Sequence, residues 1–205
     1  MAGWIRRQFT DLGVTQAPPG PYLPVLQARH GGTVILCLDV SGSMDGPPLR
    51  EAVRGARTFV AEAVEARYEV GVMLWNTVVT RRSAPSRDAA PALDALDHAS
   101  AGGGNNLLVP LLECEGILAG RRGDRVVALF GDGDLTPKDA VLRKVAQMKA
   151  DNVRFVTRGL GPYAAGEFAL VSSEDGGEVE VRSVTELADG IAGMARSLRS
   201  LGPRR

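Results

Sequence analysis

Three oxygen-bearing side chains alternate at the end of an apolar run. Residues 34–45 read Val-Ile-Leu-Cys-Leu-Asp-Val-Ser-Gly-Ser-Met-Asp, so Asp39, Ser41 and Ser43 follow the run Val34 to Leu38 at every second position. One carboxylate and two neutral hydroxyls make a set of hard oxygen ligands, which suits Mg²⁺ or Mn²⁺ and suits zinc poorly. The three side chains converge if the loop curls. Two later loops carry related groups. Gly102-Gly103-Gly104-Asn105-Asn106 offers the Asn105 amide oxygen, a hard neutral ligand like a hydroxyl, and Gly131-Asp132-Gly133-Asp134 offers a second carboxylate. Each loop alone has a plainer reading. Asp39 can cap a turn, and either serine can cap the next helix. The glycine run can be a flexible connection, and no Gly-Lys-Ser or Gly-Lys-Thr follows it to make a phosphate cradle. Asp134 reads best as a turn residue before a helix.

What positions these groups follows from periodicity. An uninterrupted apolar stretch bounded by Gly31-Gly32 and Gly42 is the pattern of a strand covered on both faces. The Asp39 cluster then sits at the C-terminal edge of a central strand, where ligands bind in open α/β sheets. Leu49 to Ala66 repeats Ala52, Val53, Ala56, Phe59, Val60 and Ala63 at helical steps. Tyr68 to Trp75 is a second strand, Asn76-Thr77 a turn, and Val78 to Arg82 an edge strand returning antiparallel. A helical stretch lies within Pro85 to Ala99, and Leu107 to Leu118 is helical with Pro110 in its first turn. Arg125 to Phe130 is a strand. Thr136 is read as the cap of a helix starting at Pro137. Strands at Val153 to Val156 and Glu178 to Val181 follow, with helices at Tyr163 to Val171 and Val184 to Leu201. This alternation predicts an α/β fold: a doubly wound, mostly parallel six-stranded sheet, order 3-2-1-4-5-6, with one antiparallel edge strand and helices on both faces. The switch point between strands one and four sets the Asp39 and Asp132 loops side by side. Residues 1–27 read as a short helix and Pro-rich connector, 28–201 as the compact domain and 202–205 as a tail.

Asp39-Val40-Ser41-Gly42-Ser43 resembles the first metal-site loop of von Willebrand factor A (vWA) domains, and the Gly and Met44 resemble intracellular and bacterial members. The second loop is similar to the family's Gly-Gly-Thr pattern, with Asn105 where Thr is usual. The third is similar to Thr-Asp-Gly, with Gly131 in place of Thr. The resemblance spans roughly Thr33 to Leu201. It implies a metal-ion-dependent adhesion site (MIDAS) in which Ser41 and Ser43 bind Mg²⁺ or Mn²⁺ directly, Asp39 and Asp132 act through waters or hydroxyls, and Asn105 ligates or holds a water. A carboxylate from a partner protein completes the shell. The resemblance further implies tellurium-resistance or stress-system relatives and an ATPase or stress-system partner.

Composition narrows the remaining classes. Lys plus Arg equals Asp plus Glu at 24 each and aromatics are 5%, which argues against a nucleic-acid or anionic-membrane partner. No run reaches the roughly 18 apolar residues of a membrane span, and the first residues hold no apolar core of signal-peptide length, so the cytoplasm is expected. Cys37 and Cys114 are read as small buried hydrophobes, His30 and His98 as surface residues, and Asp94 and Asp97 as a solvated helix face. The leading expectation is a metal-dependent protein-interaction module without enzymatic activity. A metal-free vWA scaffold is the alternative. A Mg²⁺-dependent aspartyl-phosphate enzyme is disfavoured because no second Asp follows two residues after Asp39 and no Lys stands in the third loop.

Overall fold

A computed structural model describes residues 31–133, 135–174 and 179–200. The expected N-terminal helix and connector, His30, Asp134 and the tail lie outside those residues. The elements are β1 (Gly32–Asp39), a 3₁₀ turn (Gly42–Met44), α1 (Pro47–Glu65), β2 (Glu69–Trp75), β3 (Val79–Arg82), α2 (Ala90–Asp97), α3 (Leu108–Leu118), β4 (Asp124–Gly131), α4 (Lys138–Ala150), β5 (Val153–Leu160), α5 (Gly161–Ala169), β6 (Glu180–Val181), a 3₁₀ turn (Val184–Glu186) and α6 (Leu187–Ser200). They build a six-stranded sheet in the predicted order, β3-β2-β1-β4-β5-β6. Among the described strands, only the edge strand β3 runs antiparallel.

The apolar run of β1 is explained by burial on both faces. Val34, Leu36 and Leu38 join Ala52, Ala56 and Phe59 of α1 and Ile191 and Met194 of α6 in one core. Ile35 and Cys37 join Leu111 and Cys114 of α3 and Val141 and Val145 of α4 in the other. Helices α1 and α6 lie along one another, and Gly55 permits it: a Cβ there would stand 2.5 Å from the Ala188 carbonyl oxygen. Asp39 pairs in register with Trp75, and Leu38 with Phe130. The ends of β2, β1 and β4 are therefore level, and the loops after β1 and β4 emerge together.

Several boundaries differ from the sequence reading. Pro137, with ψ 113°, is extended and occupies the N-cap position of α4 without a side-chain capping hydrogen bond, so Thr136 is not the cap and the helix begins at Lys138. Strand β5 runs on to Leu160 because Thr157 and Arg158 are buried despite their polarity. The Thr157 hydroxyl donates to the Phe168 carbonyl at 3.2 Å. Arg158 donates to Glu174 at 2.6 Å. The closing helix is broken into a 3₁₀ turn and α6. Cys37 and Cys114 are free and buried, as expected of core residues.

Candidate functional site

The first loop leaves β1 stitched to its neighbours. The Val40 amide donates to the Trp75 carbonyl at 2.8 Å, and the Val40 carbonyl accepts from Gly102 at 2.9 Å. The Gly42 amide donates to the Gly103 carbonyl at 3.1 Å, and the Met44 amide turns back onto the Ser41 carbonyl at 3.0 Å. Met44 is buried and anchors this turn, so the loop curls as the alternation of Asp39, Ser41 and Ser43 requires.

The curl places oxygens in an arc. Ser41 Oγ lies 3.1 Å from Ser43 Oγ, and Ser43 Oγ donates to Asp132 Oδ1 at 3.0 Å. Asp39 sits beneath. Its Oδ1 accepts the Ser41 amide at 2.7 Å. Its Oδ2 is buried and has no hydrogen-bond partner. Burial, ahead of the opposing Ser41 bonds, pushes the Asp39 carboxyl up to about 6, and the nearby Asp132 carboxylate adds to the rise. Exposure grades outward: Asp39 is buried, Ser41 nearly so, Asp132 half-buried and Ser43 exposed.

The second loop reaches the same edge. The Asn105 amide nitrogen lies 2.6 Å from where a Cβ on Gly133 would stand, which sets this side chain against the third loop. A side chain at 133 would have to displace the Asn105 amide. Gly131 is comparably placed: a Cβ there would press within 3.0 Å of both Asp39 Oδ2 and the Phe168 ring. All five sequence-predicted residues therefore come to one edge of the sheet.

The sequence reading missed the clasp that holds the second loop. Asn76, taken as a turn residue, donates from Nδ2 to the Gly102 carbonyl at 2.6 Å, accepts the Asn106 amide on its own carbonyl at 2.9 Å, and accepts the Val78 amide on Oδ1 at 3.1 Å. Thr77 Oγ1 accepts the Gly104 amide at 3.0 Å. Gly103, at φ 75°, has the Asn76 side chain 2.9 Å from its would-be Cβ, so glycine is needed there for space and for backbone conformation. The only signal in the sequence is an amide residue directly after a strand.

The donors fit a divalent cation. Adjacent ligands of an octahedral Mg²⁺ at about 2.1 Å are separated by about 3.0 Å, and the Ser41 Oγ–Ser43 Oγ spacing of 3.1 Å comes close. A buried carboxylate oxygen without a partner is unfavourable unless a proton, a water or a cation meets it. Among the described residues no three His, Cys, Asp or Glu side chains cluster as a metal site, so any ion here depends on hydroxyls and an amide as well as carboxylates. Lys138, the nearest lysine after Asp132 in sequence, is paired with Glu167 at 2.6 Å. His98 is exposed, with Nδ1 2.8 Å from the Asp94 carbonyl oxygen, and Asp97 pairs with Arg57. No helix among the described residues is long and apolar enough to cross a membrane.

Comparison with known proteins gives consistent results. The model of the von Willebrand factor type A domain matches residues 34–134. No curated protein sequence matches the chain. Three solved structures illustrate the likeness of fold. The vWF domain of the type V pili tip protein Mfa5 from Porphyromonas gingivalis has a TM-score of 0.73 at 11% identity, covering 84% of this chain and 96% of that one. The von Willebrand factor type A from Catenulispora acidiphila has 0.64 at 18%, covering 82% and 42%. Proximal thread matrix protein 1 from the mussel byssus, in a form with a zinc occupied MIDAS motif, has 0.64 at 17%, covering 82% and 48%. The chain spans less than half the length of the last two.

Proposed function

We infer that this chain is a von Willebrand factor type A domain, and we propose that it is a divalent-metal-dependent protein-interaction module that captures a carboxylate of its partner at a metal-ion-dependent adhesion site. The observation that carries the proposal is the buried, partnerless Asp39 Oδ2 beneath the Ser41–Ser43–Asp132 oxygen arc. Ser41 and Ser43 would hold the ion, with Asp39, Asp132 and Asn105 around it. A Mg²⁺ or Mn²⁺ ion bound mainly by neutral oxygens keeps most of its charge and attracts an outside carboxylate. The chain's own residues do the rest. Asp39, fixed by the Ser41 amide, holds negative charge under the arc, and Ser43, exposed at the rim, presents the site outward. The Asn76 and Thr77 clasp keeps the glycine loop from collapsing over it.

A cytoplasmic setting, and a partner among ATPases or stress-system components as in tellurium-resistance relatives, belong to this reading as proposals. The metal-free scaffold is the second reading, because the Ser41, Ser43 and Asp132 side chains already hydrogen-bond one another. A Mg²⁺ titration followed by thermal unfolding separates the two. At a hundredfold excess over Kd the wild-type protein gains about 2.7 kcal/mol, a rise of about 5–10 °C, and Ser43→Ala loses the gain. No shift in the wild-type protein at millimolar Mg²⁺ or Mn²⁺ supports the scaffold.

A further inference from the structure

Two cysteines that the site does not use meet in the core. Cys37 lies on β1, two residues before Asp39, and Cys114 lies on α3, the helix that follows the Asn105 loop. Their sulfurs are 3.4 Å apart and both residues are fully buried. They are 77 positions apart in sequence, so the contact belongs to the fold and not to a local turn. Both lie in the apolar cluster that also holds Ile35, Leu107, Leu111 and Val127, and no third thiol is available among the described residues to divert either sulfur.

We propose that Cys37 and Cys114 form a redox-modification site, in which a small hydroperoxide converts the pair into an intramolecular disulfide joining β1 to α3. The step balances. One thiol gives up its proton, and its sulfur attacks the peroxide oxygen, breaking the O–O bond to leave a sulfenic acid and water. The second sulfur displaces the sulfenic oxygen, which departs with a proton as a second water. Two thiols and one hydrogen peroxide become one disulfide and two waters, with peroxide the species reduced. Closing the sulfurs from 3.4 Å to about 2.05 Å requires a shift of little more than 1 Å. The Cys114 thiol is held protonated, first by its hydrogen bond to Cys37 and then by burial. Reaction is accordingly slow at neutral pH and requires an oxidant small enough to enter a transiently opened core. Bulky alkylating reagents are excluded by the same burial.

The bond would close a loop of nearly the whole first half of the domain and fasten the carriers of the Asp39 and Asn105 loops. The inference does not depend on a metal. Full-length protein is treated with hydrogen peroxide, quenched, denatured and digested without reductant. The expected result is a loss of about 2 Da in the intact monomer, a linked pair of peptides containing Cys37 and Cys114, and a thermal midpoint raised by about 5–15 °C that reductant reverses. In Cys114→Ala no internal bond forms, and Cys37 goes on to sulfinic acid. Wild-type protein that keeps both thiols after prolonged peroxide, or whose cysteines gain oxygen without becoming linked, overturns the proposal; this mapping needs no variant to fold.

Discussion

Asp39 is an acid whose surroundings resist its ionisation. Its carboxyl is pushed up to about 6 by burial, against an ordinary value near 3.8. The folded protein therefore binds this proton more tightly than the unfolded chain. The stabilisation is fully present below about pH 4 and is lost as pH rises through about 6, about 3 kcal/mol in all for the metal-free protein. Denaturant midpoints measured in chelator between pH 4.5 and 7 should fall with rising pH. Asp39→Asn should flatten that slope and leave the metal-free protein more stable at neutral pH, because an amide oxygen still accepts the Ser41 amide. The same variant should gain nothing from Mg²⁺. A wild-type midpoint that rises over this interval, with the Asn variant following it, would show that other groups govern the pH response. Asp39, Ser41 and Ser43 were legible because their chemistry is compressed into five residues. Asn76 was not, since it acts on carbonyl and amide groups of a loop some 26 residues further on, and nothing in its own neighbourhood announces that.

At the level of elements, β5 illustrates where a reading from polarity stops. The strand was expected to end at Val156, where the apolar residues end, but it continues through Arg158 because Glu174 is there to receive the guanidinium. Ser197 also donates to Glu174 at 2.5 Å. A residue sixteen positions later decides whether Arg158 is core or surface, and hydropathy carries no trace of the pairing. Glu174→Ala leaves a buried cation without its counter-charge and should destabilise by about 3–5 kcal/mol, read from urea unfolding. Replacing both Arg158 and Glu174 by apolar residues of similar size should cost much less. Equal losses in the single and double variants would mean that packing, and not charge, holds this edge. The α1–α6 contact makes a complementary case. Gly55 stands on a face whose apolar spacing was legible, but the reason for glycine was not, because it is the Ala188 carbonyl 2.5 Å from the missing Cβ. Gly55→Ala raises helix propensity by up to about 1 kcal/mol, yet separating the helices should outweigh that and leave a net loss of about 1–2 kcal/mol.

Across the whole molecule the sheet keeps two polar assemblies at opposite edges. The candidate metal site occupies the C-terminal edge. At the other edge the Tyr68 hydroxyl donates to Asp124 at 2.6 Å and lies 3.2 Å from the Leu198 carbonyl oxygen, while Arg154 donates to Asp124 at 2.8 Å. That network ties the entry of β2 and the starts of β4 and β5 to the end of α6. Burial, and then the bond and charge of Asp124, push the Tyr68 hydroxyl far up, so it stays a donor through any working pH. The strands between the two edges are eight residues long in β1 and β4, about 26 Å at 3.3 Å per residue, well beyond the separation at which substitutions couple. Strand order alone predicted which loops would share an edge, because topology depends on periodicity summed over whole elements. It was silent on the opposite network, whose members lie up to 130 positions apart. Separation by distance gives a test that distinguishes scaffold from site. Tyr68→Phe should lower stability by about 1–2 kcal/mol and leave the Mg²⁺ increment unchanged within about 0.5 kcal/mol. Asn76→Ala should lower stability by a similar amount and remove much of the increment, because the loop it clasps carries Asn105. If Tyr68→Phe also abolishes the response to Mg²⁺, the metal effect is a property of global stability and not of the three loops.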